Sequence, residues 1–270
     1  MLDQPRNQDE GKLPATARQA RLAELLRRSG FVSVAESAER LGVSSMTIRR
    51  DLESLEARGI LTRTHGGAIA VERGPLEVFD AVEPAFEQRR RHQATAKGMI
   101  AAAAAKLVEP NQTVALDVGT TALALAKELA GRADLKFITN NLPAAMMLSG
   151  RGSPVYVLGG QLRAPEMAVI GAVAHGQARD YFVDHAFIGV SGVMESGCYD
   201  YSPEDTEVKR TFIERARQVV VLCDSSKFDH RAMARICELK QCHIVVTEMP
   251  PPTHLARSLR GAGVRVIVAA

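Results

Sequence analysis

Several short apolar runs in the second half of the chain end in glycine, hydroxyl, amide or charged residues. Asp117-Val118-Gly119-Thr120-Thr121 follows one such run, and Asp224-Ser225-Ser226-Lys227 follows another. Glycine lets the backbone approach a ligand, and the free N–H groups at the start of a following helix attract an anion, most naturally a phosphate. Because such ends recur along the chain, we expect one small anionic ligand, bound by Asp117, Gly119, Thr120, Thr121, Thr139, Asn140, Asn141, Gly159, Gly160, Lys209 and Lys227.

The elements that must position these residues alternate between short β-branched runs and helical patterns. This alternation predicts a parallel sheet covered by helices on both faces, with ligands bound beyond the carboxyl ends of the strands. One long helix is predicted from Phe86 to Leu107. The predicted strands are 113–117, 136–139, 155–158, 186–190, 219–223, 244–247 and 264–268, and the further helices are 122–129, 143–148, 171–179, 204–217 and 253–259.

The segment before this region has the pattern of three helices and a hairpin. The first predicted helix spans residues 18–28, with Thr16 as its N-cap and Gly30 as its end. The second helix is shorter and starts with a capping box formed by Ser33 and Glu36. It ends at Gly42 and is predicted to bury Ala35, Ala38 and Leu41.

The third predicted helix carries residues that could read DNA. Ser44 caps it, with Thr47 at the reciprocal position, and Gly59 ends it; the core-facing stripe is Ile48, Leu52 and Leu55. Its opposite face presents hydroxyls and arginines, as in the helix of a helix-turn-helix that enters the major groove, although a merely solvated charged face is the alternative. Two short strands around Gly66-Gly67 would form a wing. The expected contacts to double-stranded DNA are Ser33, Ser44, Ser45, Met46, Thr47, Arg49, Arg50, Arg63 and His65.

These motifs at fixed spacing resemble the DeoR family of bacterial transcriptional regulators. The matching motifs are Arg18-x3-Leu22-x3-Leu26, Ser44-x2-Thr47-Ile48-Arg49-Arg50-Asp51-Leu52 and His65-Gly66-Gly67-Ala68. The resemblance implies an α+β winged helix-turn-helix domain at the N-terminus that binds a specific operator sequence.

The chain from Phe86 onward is similar to the effector domain of the same family. The resemblance rests on Asp117-x-Gly119-Thr120-Thr121, Thr139-Asn140-Asn141, Lys209-Arg210 and Asp224-x-Ser226-Lys227-Phe228. It implies an α/β parallel-sheet domain like the ribose-phosphate isomerase and glucosamine-phosphate deaminase fold, which senses phosphorylated sugars or related metabolites. Gly159-Gly160-Gln161-Leu162-Arg163 is most similar to the glycerol-3-phosphate-regulon branch of the family, which adds glycerol 3-phosphate to the expected effectors. The implied function is repression of a carbohydrate or glycerol-phosphate catabolic operon, relieved by the effector.

Two other functions remain open at this point. A phosphosugar isomerase with a DNA-binding appendage needs a carboxylate to move a proton. The related isomerases look acidic where this chain has Gly189-Val190-Ser191-Gly192, although Asp117, Glu204 and Glu207 remain possible acids. A scaffold that only oligomerises has no need of hydroxyls, amides and lysines at strand ends. We therefore expect a regulator without catalytic residues, and a dimer or tetramer because helix-turn-helix proteins bind repeated half-sites in pairs.

Composition limits the class of protein. The 270 residues are 46% hydrophobic and 24% charged, which is typical of globular domains and excludes wholesale disorder. Residues 18–66 hold nine arginines and six acidic residues, so this segment alone accounts for the net charge of +3. The apolar run from Met99 to Ala105 is far shorter than the roughly 20 residues of a membrane-spanning helix. With no apolar signal core near the N-terminus, we expect a cytoplasmic protein without membrane contact.

The four cysteines and the linker complete the expected organisation. Cys198, Cys223, Cys237 and Cys242 lie far apart or at C-x4-C spacing without a second pair to complete a zinc site, so we expect buried structural thiols, no metal and no cofactor. The expected domains are a disordered tail over 1–15, the DNA-binding domain over 16–71, a linker over 72–85 and the effector domain over 86–270.

Overall fold

The computed structural model describes residues 14–29, 31–57, 61–64, 66–70, 78–80, 83, 85–164 and 166–269. The chain divides into two compact units, Met1–Leu76 and Glu77–Ala270. No helix among these residues has the length and apolar character needed to cross a bilayer. Some expected features lie outside the described residues: tail residues 1–13, the helix ends at Gly30 and Gly59, and His65. The expected N-cap at Thr16 is wrong, because the first helix already begins at Ala15 and Thr16 lies within it.

The first unit packs three helices against a small antiparallel sheet. Its elements are α1 (Ala15–Ser29), β1 (Phe31–Ser33), α2 (Val34–Leu41), α3 (Ser45–Ala57), β2 (Leu61–Thr64) and β3 (Gly67–Ala70). The strand order is β1-β3-β2, so β2 and β3 form the predicted hairpin and β1 adds a third strand that the sequence analysis did not predict. β3 lies so close to β1 that a Cβ atom on Gly67 would stand 2.0 Å from the Val32 carbonyl oxygen.

The core of the first unit confirms the predicted apolar stripe of α3. Leu22 and Leu26 of α1 are buried against Ile48, Leu52 and Leu55 of α3. A buried ion pair joins the same two helices: the Arg18 guanidinium donates to both carboxylate oxygens of Asp51. Gln19 also donates to Asp51, at 3.2 Å.

Helix α2 differs from its prediction at its N-terminus. Ser33 precedes α2 but makes no side-chain capping bond, so the expected capping box with Glu36 does not form. Ser33 pairs instead with Gly67 as the last residue of β1. Of the expected buried stripe, Ala38 is buried, Leu41 is half-buried and Ala35 is exposed. The predicted turn at Gly42 is confirmed, with φ 63°.

The second unit is built on a seven-stranded sheet. The strands of this unit, seven of which form the main sheet, are β4 (Val78–Asp80), β5 (Thr113–Leu116), β6 (Lys136–Thr139), β7 (Val155–Val157), β8 (Gln161–Arg163), β9 (Ala168–Ile170), β10 (Val183–Gly189), β11 (Gly192–Met194), β12 (Gly197–Asp200), β13 (Ala216–Leu222), β14 (His230–Ala232), β15 (Ala234–Cys237), β16 (Ile244–Thr247) and β17 (Arg265–Val268). Its helices are α4 (Phe86–Arg91), α5 (Ala94–Ala105), α6 (Thr120–Leu129), α7 (Leu142–Ser149), α8 (Ala172–Ala178), α9 (Pro203–Arg215) and α10 (Thr253–Gly261), with 3₁₀ helices at Ser225–Lys227 and Leu239–Gln241.

All seven predicted strands enter one sheet, and every neighbouring pair is parallel. The order is β17-β16-β13-β10-β5-β6-β7. Side chains of β10 alternate between two separate cores, with Ala186 and Ile188 on one face and Phe187 on the other. Helices α8, α9 and α10 contribute to the first core and α5, α6 and α7 to the second, which confirms a sheet covered on both faces.

Several segments of the second unit depart from the expected elements, and its short strands β4, β8, β9, β11, β12, β14 and β15 were not predicted. The long helix predicted from Phe86 to Leu107 is two helices, because Gln93 adopts φ 55° and breaks the hydrogen-bond ladder between α4 and α5. The ammonium of Lys97 satisfies carbonyls freed by this break, those of Arg89 and of His92, the latter at 2.7 Å. Strand β4 lies inside the segment expected to be a linker and pairs in parallel with β14.

Candidate functional site

Helix α3 presents an outward face next to its buried stripe. The Ser44 hydroxyl accepts a hydrogen bond from the Thr47 backbone N–H at 3.2 Å, and the two hydroxyls lie 2.9 Å apart, so the predicted cap forms. Ser45, Met46, Arg49 and Arg50 are exposed, and 57% of Met46 is accessible to solvent. These residues occupy the first two turns of α3, the part of a recognition helix that meets base edges in the major groove.

The wing arginine is held against α3. Arg63 donates through Nε to Glu56 at 2.7 Å and through Nη1 to Glu53 at 2.6 Å. Its backbone N–H also donates to Glu56, at 2.9 Å. The hydrogen bonds to Glu56 and Glu53 raise the pKa of Arg63 despite some desolvation. The charge of Arg63 is therefore compensated within the unit. Ser33, another predicted DNA contact, is half-buried where β1 ends and α2 begins.

A cavity of about 260 Å³ opens in the second unit, at the carboxyl ends of β5, β10 and β13. The first turn of α6 forms one wall, and its first helical bond runs from the Leu123 N–H to the Gly119 carbonyl. The preceding N–H groups of Thr120, Thr121 and Ala122 therefore have no partner within the helix. Of the residues predicted to bind an anion, Gly119, Thr120, Thr121, Lys209 and Lys227 line this cavity.

A buried ionic cluster forms the floor of the cavity. Lys209 donates to Asp117 and to the Gly189 carbonyl at 3.1 Å, and lies 3.1 Å from Asp200. Burial raises the pKa of Asp117 to about 7, and the neighbouring Lys209 charge limits that rise. Burial alone would lower the pKa of Lys209, but Asp117, Asp200 and Asp205 together raise it. The positive charge of Lys209 is already compensated, so this lysine orients the floor of the cavity.

Three basic residues of the cavity were not predicted from the sequence. Arg89, His92 and Lys97 line it from α4, from the turn after it and from α5. Arg89 is paired with Glu83 at 3.0 Å and with Glu166. Burial lowers the pKa of Lys97. The sequence does show a run of basic residues here, Arg89-Arg90-Arg91-His92. The position of Lys97 beside that run could not be predicted, because it depends on the break between α4 and α5.

The remaining predicted anion ligands hold neighbouring backbone. The Thr139 hydroxyl donates to the Leu116 carbonyl at 2.6 Å, and Asn141 caps α7 and donates to the Asp117 carbonyl at 3.2 Å. Asn140 is fully buried and donates to the Val169 carbonyl at 3.3 Å. Gly159 donates to the Gln177 side chain at 2.6 Å, and a Cβ on Gly160 would lie 2.5 Å from the Ile170 carbonyl oxygen. These residues do not line the cavity; they position β5, β6 and the loops beside them.

The cysteines are closer together than their spacing in the sequence indicated. Cys198, Cys237 and Cys242 bring their Sγ atoms within 4.8 Å of one another, whereas Cys223 lies apart from this group. All four are buried free thiols. The expectation of no metal rested on sequence spacing, which does not show that three of the thiols meet in the fold.

Comparison with known proteins supplies the family. A family model described as the DeoR C terminal sensor domain matches residues 92–249, and one described as a DeoR-like helix-turn-helix domain matches residues 18–73. The chain is 31% identical over 248 residues to the glycerol-3-phosphate regulon repressor of Escherichia coli K12, covering 90% of this chain and 95% of that protein. It is 32% identical over 234 residues to the transcriptional repressor AccR of Agrobacterium fabrum, covering 86% and 88%.

Among solved structures, ribose 5-phosphate isomerase A from Methanocaldococcus jannaschii is 23% identical, with a TM-score of 0.39 over 50% of this chain and 55% of that one.

Of the acids considered for catalysis, Asp117 is paired with Lys209 and Glu204 accepts a hydrogen bond from Ser202 at 3.0 Å. With a sensor-domain match over more than half of its length and relatives named as repressors, the chain belongs to the DeoR family of helix-turn-helix transcriptional regulators and is a regulator, not an enzyme.

Proposed function

We propose that this protein is a repressor that binds operator DNA through α3 and is released when a phosphorylated metabolite enters the cavity beside α6. Its working form is a homo-oligomer, because two recognition helices are needed to read repeated half-sites. It acts in the cytoplasm, where operator DNA and phosphorylated metabolites meet. Light scattering on the purified protein tests the oligomer: a monomer at the concentration that gives full operator binding contradicts this part.

The exposed face of α3 carries the DNA-binding proposal. Arg49 and Arg50 extend from a helix whose other side is fixed in the core by Ile48, Leu52 and Leu55, so their positions are set before DNA arrives. Ser44, Ser45, Met46 and Thr47 supply hydroxyls and an apolar contact in the same two turns. Guanidinium groups placed in this way bind phosphates or the O6/N7 edge of guanine.

Alanine substitution of these arginines tests the interface. Arg49→Ala and Arg50→Ala should each weaken operator binding by about 10- to 100-fold, the value of one base or phosphate contact in the major groove. Arg21→Ala is the matched control, since Arg21 is an exposed arginine on α1. Operator fragments in gel-shift assays give the affinities. Equal affinity in the wild type and the two α3 variants would refute the assignment.

The ligand proposal rests on the first turn of α6 in the cavity wall. N–H groups of Thr120, Thr121 and Ala122 point their positive ends outward, and Lys227 lines the same cavity without an ion pair within the described part of the chain. Together they offer an anion both hydrogen-bond donors and an ammonium group that no carboxylate of the described residues pairs with directly. Phosphate esters fit this combination, and the E. coli relative is named for glycerol 3-phosphate.

A titration of phosphorylated metabolites into the protein–operator complex tests the sensor function. Glycerol 3-phosphate is the first candidate, followed by phosphosugars, each compared with its unphosphorylated form. Lys227→Met should weaken the response by about tenfold or more, the value of a hydrogen bond to a charged group. Lys127→Met is the matched control because Lys127 is exposed near the other end of α6. An operator complex that is indifferent to every phosphorylated compound would exclude this sensor function.

A shift between two states with different operator affinity connects the two sites. The effector favours the state with weak DNA binding, and its difference in affinity for the two states limits how far the equilibrium moves. Reciprocity follows: operator DNA must weaken effector binding by the same factor. Calorimetric titration of the effector with and without operator DNA measures this factor directly.

A further inference from the structure

Three cysteines from separate parts of the second unit meet in its core. Cys198 lies on β12, Cys237 ends β15, and Cys242 follows the 3₁₀ helix Leu239–Gln241. The Sγ atom of Cys242 lies 3.6 Å from the Sγ atom of Cys237 and 3.9 Å from that of Cys198. All three side chains are buried. We propose that these three thiols bind a thiophilic divalent metal ion, for which Zn²⁺ is the reference.

The sulfur separations fit one shared metal ion. Thiolates at about 2.3 Å from Zn²⁺ stand about 3.8–4.0 Å apart in tetrahedral or trigonal geometry. The separations of 3.6 and 3.9 Å differ from these values by a few tenths of an ångström at most, and the third pair, Cys198 and Cys237, lies within 4.8 Å. A disulfide needs sulfurs about 2.0 Å apart and would leave the third thiol without a partner. The cluster is therefore spaced for a central ion.

The backbone holds the three sulfurs in place without a metal ion. Cys198 and Cys237 are direct partners in the β12–β15 ladder. The strands approach closely at Gly197, which has φ 137° and whose Cβ would lie 2.1 Å from the Cys237 carbonyl oxygen. A capping box between Glu238 and Gln241 fixes the turn that delivers Cys242. Little conformational entropy is lost on binding, because ligands on paired strands and a capped turn are already ordered.

Charge and access favour a divalent ion. Three thiolates around a 2+ ion carry one net negative charge, and Arg210 lies beside them, donating to the carbonyls of Arg235 and of Ile236 at 3.2 Å. A second cavity, of about 220 Å³, is lined by Cys237, Arg210, Glu238 and Gln241, so solvent reaches the edge of the cluster at one of its three cysteines. Thiolate-only donor sets select soft ions over Mg²⁺ or Ca²⁺.

Binding is a proton exchange without change of oxidation state. Each S–H bond that breaks releases one proton to solvent as a metal–sulfur bond forms, so up to three protons leave for each ion bound. Metal affinity must therefore rise with pH. This site is separate from the proposed effector cavity, although Asp200 of that cavity follows Cys198 by two residues on β12.

Metal titration of the reduced full chain tests the proposal. The protein is freed of metal with a chelator, and Cd²⁺ is added while thiolate-to-metal charge-transfer absorption is followed; Zn²⁺ is then added as a competitor. We expect one ion per chain in the wild type. Cys198→Ser and Cys242→Ser should each lower the affinity by more than about tenfold, because loss of a ligand exceeds the loss caused by its supporting partners. Cys223→Ser, which changes the cysteine outside the cluster, should bind as the wild type does.

Folding of the variants is followed separately by circular dichroism in the presence of chelator. Native mass spectrometry of the wild type gives the stoichiometry without any substitution, and Zn²⁺ should raise the Tm of the wild type and of Cys223→Ser. No saturable binding by the reduced wild type would overturn the proposal. Unchanged binding in folded Cys198→Ser and Cys242→Ser, or an equal loss in Cys223→Ser, would overturn it too. Operator binding is measured independently, so failure of either proposed function is recognised on its own.

Discussion

Replacement of Lys209 by methionine should destabilise the second unit in a pH-dependent way. Lys209 is 1% exposed and contacts Asp117, which is completely buried, and Asp200. Methionine keeps most of the side-chain volume but leaves two buried carboxylates without their cation. Removal of one partner from a buried ion pair costs about 3–5 kcal/mol, and we expect a loss in this range at pH 8.

The sign of the pH dependence follows from Asp117. Burial raises its folded-state pKa to about 7 from the ordinary value of 3.8. Between these values the folded protein holds a proton that the unfolded chain has released, so stability falls as the pH rises, by about 1.4 kcal/mol per pH unit for one proton. Without Lys209 the folded pKa rises further, and the window of falling stability extends above pH 7. The loss in the variant should therefore be larger at pH 8 than at pH 5.5, by up to about 1.4 kcal/mol for the one unit between pH 7 and pH 8.

Urea unfolding at pH 5.5 and pH 8, followed by far-UV circular dichroism, measures both quantities, since the chain has no tryptophan for fluorescence. Lys127→Met, on an exposed site, should unfold as the wild type does at both pH values. In the double variant Lys209→Met/Asp117→Asn the neutral amide should restore part of the stability at pH 8. A loss that is equal at both pH values, or no loss at pH 8, would refute the ionic explanation and leave only a packing effect.

Three further predictions concern the first unit. Asp51→Ala removes the carboxylate that pairs with Arg18 and should lower the free energy of unfolding of this unit by about 3 kcal/mol. Operator binding measured at increasing temperature should then be lost at a lower temperature than in the wild type. Gly67→Ala should lower the thermal stability of the same unit by the equivalent of about 1–3 kcal/mol, because its Cβ meets β1, whereas Gly66→Ala, whose Cβ meets nothing within 4 Å, should be neutral. Glu56→Gln weakens the hold on the wing arginine and removes a negative charge from α3, so operator affinity in gel shifts should increase; an unchanged affinity would contradict this.

Local periodicity was enough to predict the seven parallel strands, the wing hairpin and most of the helices, but not the short additional strands. Residues close together in the sequence determine whether a segment forms a strand or a helix, as the β-branched runs and the stripe of Ile48, Leu52 and Leu55 show. The break at Gln93 could not be predicted, since no glycine or proline marks it and the stabilising Lys97 contacts are formed by the break itself. Ser33 has the residue type of a cap, but strand pairing with Gly67 competes for it.

The candidate sites show the same limit. The strand-end rule located Gly119, Thr121 and Lys227 at the cavity, because it follows from the direction of parallel strands. It could not separate ligand-facing residues from those that hold the sheet edge, such as Asn141, because both classes need polar side chains at the same place. The thiol cluster joins residues 44 positions apart and has no local signature.

The inward fold of Arg63 onto Glu53 and Glu56 has a consequence for the search of a genome. Every arginine that neutralises a DNA phosphate displaces a condensed counterion, and this gain is the same on every sequence. An arginine already neutralised by its own protein contributes little of it. Because this gain is equal on every sequence, its loss should lower the affinity for random DNA and for the operator by the same factor. The ratio of the two affinities, which decides how a limited number of copies is distributed over a genome, is then left to the base contacts of α3.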